Sequence, residues 1–258
     1  MTEGFITILG HRLEYRLIPA AKPNVPFLVF LHEGLGSIGL WRDFPDRVAA
    51  ATGCAVLLYS RYGFGRSDIL IEEPRKPDYL HAEALDVLPR VLDHFGIVEP
   101  ILIGHSDGAS IALIYAAASG QPLKGIVAEA AHVFVEEITL AGIRDAVHAW
   151  NTTELPSRLA RHHTDAERTF RGWHEIWLAP AFRDWNIEHL LPAITCPTLV
   201  IQGEGDEYGT LEQVEKIVRQ VSGPVEKLAL ANCGHTPHRD QAETVLNAIM
   251  WFVAKCGP

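Results

Sequence analysis

The chain has 258 residues, 48% of them hydrophobic and 21% charged, enough for one large single-core domain and awkward for two. Lys and Arg number 22 against 32 Asp and Glu, and the resulting net charge of −10 argues against a nucleic-acid or anionic-membrane surface. The opening Met-Thr-Glu-Gly-Phe carries no basic leader, and no apolar run approaches the roughly 20 residues that span a bilayer, so a cytoplasmic protein without a membrane partner is expected. Cys54, Cys196, Cys233 and Cys256 form no C-x-x-C pair, which points to reduced, structural thiols and not to a zinc or disulfide framework.

In chain order, residues 5–9 and 12–18, joined at Gly10-His11, read as an antiparallel hairpin. Short apolar runs follow at 27–31, 54–59, 101–103, 125–128, 198–201 and 225–230, as strands buried on both faces should be. Amphipathic helical patterns separate them at 41–52, 79–95, 107–118, 210–221 and 241–255. The alternation predicts an α/β fold with a mostly parallel sheet of about eight strands and helices on both faces. Residues 133–192 break it with a helical pattern of about 60 residues and no strand, too long for a structureless loop. This segment reads as an inserted helical cap after the sixth strand, leaving 1–132 and 193–258 as the core. It holds Trp150, Trp173, Trp177 and Trp185, four of the six tryptophans, with His148, His162, His163, His174 and His189.

The strongest local motif is Gly104-His105-Ser106-Asp107-Gly108, between a predicted strand and a predicted helix. A G-x-S-x-G turn in that context puts the serine on a strained elbow above the sheet, with a helix N-terminus favouring developing negative charge. A serine hydroxyl is a weak nucleophile and needs a base and an orienting acid. Asp206 and His235 each follow a predicted strand, giving the order Ser106, Asp206, His235 at strand carboxyl ends, where open α/β sheets build their sites. Glu129, at the end of the sixth strand, is the alternative acid. His238, in Gly-His-Thr-Pro-His, reads as a capping or pocket residue, and its H-x-x-H spacing without a third ligand is no metal site. No metal or cofactor is expected.

With these motifs the chain resembles the α/β-hydrolase fold family, in the serine-nucleophile branch with a helical cap. The resemblance extends to His32-Glu33-Gly34-Leu35-Gly36-Ser37, similar to the family's oxyanion loop, and to Arg61-Tyr62-Gly63-Phe64-Gly65-Arg66-Ser67 after the fourth strand. It implies an oxyanion hole from the Gly34 and Asp107 amides, with Arg66 and Ser67 bracing the loops. Glu33 and Asp107 depart from the family pattern. Two free carboxylates roughly 6 Å apart would repel by about 3 kcal/mol, so a shared cation such as Arg61 or a histidine, a shared proton, or divergent orientation is expected. His32 and His105 read as buried supports; Glu33, His105, His238, Trp150, Trp173 and Trp177 are the candidate pocket residues. The implied activity is hydrolysis of a small ester, thioester or lactone through an acyl-enzyme on Ser106. A carbon–carbon bond hydrolase or lyase of the same fold is the alternative, and a non-catalytic ligand receptor the alternative of another class. The partner is a small-molecule substrate, and the sequence leaves the oligomeric state open.

Overall fold

The first two strands set the edge of the sheet. In the computed structural model, which describes residues 1–71 and 74–257, β1 (Thr2–Ile8) and β2 (His11–Ile18) pair antiparallel. Leu9 at φ 51° and Gly10 at φ 87° make their turn. Positive φ at both positions matches the right-handed twist of the flanking strands. β2 continues antiparallel onto β4 (Ala55–Tyr59), while β3 (Phe27–Leu31), β5 (Ile101–His105), β6 (Gly125–Glu129), β7 (Thr198–Gly203) and β8 (Val225–Leu230) run parallel with it. The eight strands lie in the order β1-β2-β4-β3-β5-β6-β7-β8.

Alternate residues of the central strands feed two cores. Val29, Leu31, Leu57 and Leu102 join one cluster, and Leu28, Phe30, Val56 and Ile103 join the other, all buried. This is why the strands read as unbroken apolar runs: successive side chains point to opposite faces, and both faces are covered. α4 (Asp107–Ala118) packs within the first cluster; α1 (Phe44–Thr52) and α10 (Ala242–Cys256) pack within the second.

Two predicted helices are interrupted. The pattern at 41–52 splits into a 3-10 turn, Ile38–Trp41, and α1, because Arg42 takes φ 54° between them. The pattern at 79–95 becomes α2 (Tyr79–Ala82), a π turn (Glu83–Val87) and α3 (Leu88–Phe95). Pro89 lacks an amide proton and crowds the carbonyl four residues back, and the wider turn accommodates both.

Between β6 and β7 the chain makes α5 (Glu137–Thr152), α6 (Leu155–Leu159) and α7 (Ala166–Leu178), then two 3-10 turns. The side chain of Asp165 caps α7 by accepting the Arg168 amide at 2.9 Å. Phe170, Trp173 and Trp177 recur at helical spacing on its inner face and merge with the first cluster. α8 (Leu211–Gln220) and the short α9 (Pro237–Asp240) complete the fold. Among the described residues no helix is long and apolar enough to cross a membrane.

Candidate active site

Ser106 stands between β5 and α4 at φ 53°, ψ −116°, a conformation that costs an L-residue energy and projects its side chain off the sheet. The flanking glycines are steric requirements. A Cβ on Gly104 would collide with the backbone of Gly108, and one on Gly108 with the carbonyl of Leu31. The Ser106 amide donates to Glu129 O at 2.8 Å, tying the turn to β6.

His235 reaches this serine from the loop after β8. Its Nε2 lies 3.0 Å from Ser106 Oγ, and its Nδ1 lies 2.8 Å from both carboxylate oxygens of Asp206. Asp206, after β7, also accepts the Tyr208 amide at 2.8 Å, the Gly209 amide at 3.2 Å and Gln202 Nε2 at 2.7 Å. Burial disfavours its charge, but the bonds from His235 and the backbone outweigh that and hold the carboxyl below its ordinary range. Glu129 bonds His238 Nδ1 at 2.8 Å and does not reach His235 within hydrogen-bond distance. A hydroxyl, an imidazole and a carboxylate bonded in this order can pass a proton from the serine and return it to a leaving group.

The hydroxyl opens into a cavity of about 100 Å³. Ser106, Asp107, His132 and His235 face it from the sheet side, Glu33, Gly34 and Leu35 from the loop after β3, and Thr139, Ile143, Trp173, Trp177 and Tyr208 close it. His132, Thr139, Ile143 and Tyr208 are residues the sequence reading missed; Tyr208, two positions after Asp206, carries the one local cue. Trp150 does not line the cavity. It lies seven positions after Ile143, about 10 Å further along α5, and stacks on Phe170 at 4.2 Å. His105 and His238 are likewise absent from the lining and support it from beneath.

Glu33 and Asp107 do not share a cation. Asp107 Oδ2 lies 3.4 Å from Arg61 and accepts the Tyr79 hydroxyl at 2.8 Å, and Tyr79 Oη in turn accepts Trp177 Nε1–H at 2.9 Å. Glu33 Oε2 lies 3.5 Å from His105 Nδ1. Burial opposes charge on both members of that second pair, but each stabilises the other: Glu33 is held below, and His105 above, its ordinary value. The expected repulsion is answered by two separate buried partners.

Histidines also hold the surrounding loops. His32 Nε2 accepts the Arg61 amide at 3.0 Å, and its Nδ1 bonds Glu33 O at 2.7 Å. His105 Nε2 bonds His235 O at 2.7 Å. His163 Nδ1 accepts the Gly65 amide at 3.0 Å while Nε2–H donates to Leu35 O at 2.9 Å. Ser67 Oγ donates to Ser60 O at 2.6 Å and so braces its turn, whereas the Arg66 guanidinium is 79% exposed and 3.9 Å from Glu14. The Asp107 amide, first in α4, has no intrahelical acceptor, and the Gly34 amide donates to none among the described residues.

Known proteins resemble this chain along its length. The proline iminopeptidase of Saccharolobus solfataricus is 26% identical over 97% of this chain and 92% of its own. The solved proline iminopeptidase of Mycobacterium smegmatis superposes with a TM-score of 0.77 at 18% identity, covering 99% of this chain and 98% of that one. The enol-lactonase of Burkholderia xenovorans LB400 does so with a TM-score of 0.75 at 20% identity, covering 97% and 100%. Residues 28–248 match the model of the Alpha/beta hydrolase family; with its eight-stranded, mostly parallel sheet flanked by helices, the chain belongs to that family.

Proposed function

We propose that this protein is a serine hydrolase acting on a small ester, thioester or lactone through an acyl-enzyme on Ser106. The observation that carries this reading is the bonded chain Ser106–His235–Asp206 opening into the cavity under Trp173 and Trp177. Ser106 Oγ attacks the carbonyl carbon as His235 Nε2 takes its proton, and Asp206 stabilises the imidazolium. The Gly34 and Asp107 amides receive the oxyanion. His235 then protonates the leaving oxygen or sulfur, and a water activated by the same imidazole releases the acid.

A second reading, aminopeptidase action, is favoured by the likeness to proline iminopeptidases. An N-terminal ammonium requires an uncompensated carboxylate near the nucleophile. Both carboxylates lining this cavity already face a cationic partner, Arg61 or His105, and that supports a neutral acyl group instead. The cavity's small volume favours short chains.

A fluorophosphonate probe should label wild type and not Ser106→Ala. Phenyl acetate and butyrate should be turned over faster than octanoate, and faster than prolyl- or alanyl-p-nitroanilide. Labelling retained in Ser106→Ala removes the nucleophile assignment. Preference for the anilides moves the substrate to peptides.

A further inference from the structure

Two polar groups of the cavity lining that the hydrolytic machinery does not use meet at one point. A Cβ added to Gly34 would fall on the indole edge of Trp173, at Nε1 and Cδ1, with Asp107 Oδ1 3.4 Å away. Glycine at 34 is what lets the indole reach the loop. Trp173 is only 9% exposed, yet its N–H has no hydrogen-bond partner among the described residues. The other cavity tryptophan, Trp177, gives its N–H to Tyr79. Among the described residues, Asp107 Oδ2 takes every bond that carboxylate makes, from Arg61 and Tyr79, and leaves Oδ1 open. A donor and an acceptor thus flank the Cα of Gly34, whose amide is placed above in the oxyanion hole.

From this we infer that the site selects acyl groups bearing a hydroxyl on the carbon next to the scissile carbonyl: the substrate is an ester or thioester of a small 2-hydroxy acid. This rests on the hydrolase reading above and names the substrate class within it. With the carbonyl oxygen at the Gly34 and Asp107 amides, the α-carbon is the next substituent towards Trp173. A hydroxyl there donates its proton to Asp107 Oδ1 and accepts the Trp173 N–H, satisfying both groups at once. An ammonium offers donors and no lone pair, so it leaves Trp173 unpaired and meets a carboxylate whose charge Arg61 already balances. An unsubstituted α-carbon satisfies neither group. A site built around a substrate hydroxyl discriminates strongly against the analogue that lacks it, because the protein's own polar groups are then left without partners. Hydrolysis breaks the acyl–oxygen or acyl–sulfur bond and consumes one water, and the products are the 2-hydroxy acid and an alcohol or thiol.

The test is kcat/KM for the phenyl esters of 2-hydroxypropionate, 2-methoxypropionate, propionate and alanine, each divided by its hydroxide-catalysed rate. The expected order in wild type is hydroxy, then methoxy, then propionate, with hydroxy ahead of propionate by about 10- to 100-fold and alanine no better than propionate. The methoxy group still accepts from Trp173 but cannot donate to Asp107. In Trp173→Phe, which keeps an aromatic ring and removes the N–H, the methoxy ester should lose its lead over propionate, while the hydroxy ester, which still donates to Asp107, keeps a reduced lead and its gap over methoxy. If that variant does not fold, the four wild-type values decide. Equal turnover of hydroxy, methoxy and propionate esters, all abolished in Ser106→Ala, overturns the donor–acceptor pair and leaves the hydrolase reading standing. A preference for the alanine ester overturns it in favour of aminoacyl substrates. Failure of Ser106 to react with any ester or with fluorophosphonate overturns the hydrolase reading and this inference with it.

Discussion

Two buried histidine–carboxylate pairs sit on neighbouring strand ends, and they have opposite surroundings. In each, histidine Nδ1 lies 2.8 Å from a carboxylate oxygen, and both carboxylates, Asp206 after β7 and Glu129 at the end of β6, are fully buried. His235 is 13% exposed and turns Nε2 to Ser106; His238 is 3% exposed and is enclosed by Trp41, Phe44 and His105, with ring centroids 4.5, 5.5 and 5.0 Å away. Asp206 receives two backbone amides and Gln202, whereas Glu129 Oε1 has no partner among the described residues. Burial lowers the pKa of His238 despite Glu129, so that imidazole stays neutral near pH 7. The pairing is the same in both; what the far ring nitrogen faces separates a proton relay from a packing element.

The largest expected effect tests that separation. Asp206→Asn should lower kcat about 10⁴-fold, because an amide cannot hold His235 in the tautomer that accepts from Ser106. Glu129→Gln should leave kcat within about threefold, since the amide oxygen still accepts from His238. Steady-state kinetics on one ester settles the ranking, and the reverse order would move the acid to β6.

Acid unfolding should show the next largest effect. His163 must accept the Gly65 amide at Nδ1 and donate to Leu35 from Nε2, and only the neutral ring can do both. Burial accordingly lowers its pKa to about 4. A histidine depressed in the folded state contributes stability that is whole above the unfolded pKa of about 6.5 and is lost as pH falls towards 4, up to about 3 kcal/mol. Urea unfolding at pH 7.0, 5.5 and 4.5 should therefore give a steeper loss in wild type than in His163→Asn, whose amide oxygen keeps the Gly65 bond. Equal slopes would mean that the ring is protonated in the folded protein without cost.

The difference between the pairs was only half visible in the sequence. Ser106, Asp206 and His235 could be placed because each lies in a short motif at the end of an apolar strand, where local geometry dictates position. That Glu129 belongs to His238 depends on how β6, α9 and the turn at Trp41 pack together, and no local pattern encodes this. The same limit explains the tryptophans. Amphipathic spacing marks Trp150, Trp173 and Trp177 as inward-facing, but only the distance along α5 shows that Trp150 lies beyond the cavity and meets Phe170. Arg61 was named as one possible cation for Glu33 and Asp107; that Tyr79 joins it on Asp107 and His105 serves Glu33 follows from tertiary contacts spanning 28 and 72 positions in the chain.

The smallest expected effect comes from replacing the sealed pair altogether. Removing one member alone is costly: His238→Phe leaves the Glu129 carboxylate buried without its partner and should cost about 3 kcal/mol. Replacing both, Glu129→Leu with His238→Phe, removes two desolvated polar groups together, and the new ring can pack against Trp41 and Phe44 as the imidazole does. Replacing both partners of a buried hydrogen bond by apolar groups of similar shape can be nearly neutral or stabilising, so the double variant should lie within about 1 kcal/mol of wild type by urea unfolding. Its kcat should be unchanged within about threefold, because the Glu129 carbonyl that receives the Ser106 amide belongs to the backbone and survives the substitution. A hundredfold loss of kcat in a stable double variant would mean that His238 acts on the site through His105, which contacts it at 5.0 Å and also bonds the carbonyl of His235. The two pairs would then form one network, and the sealed one would count among the residues that position His235.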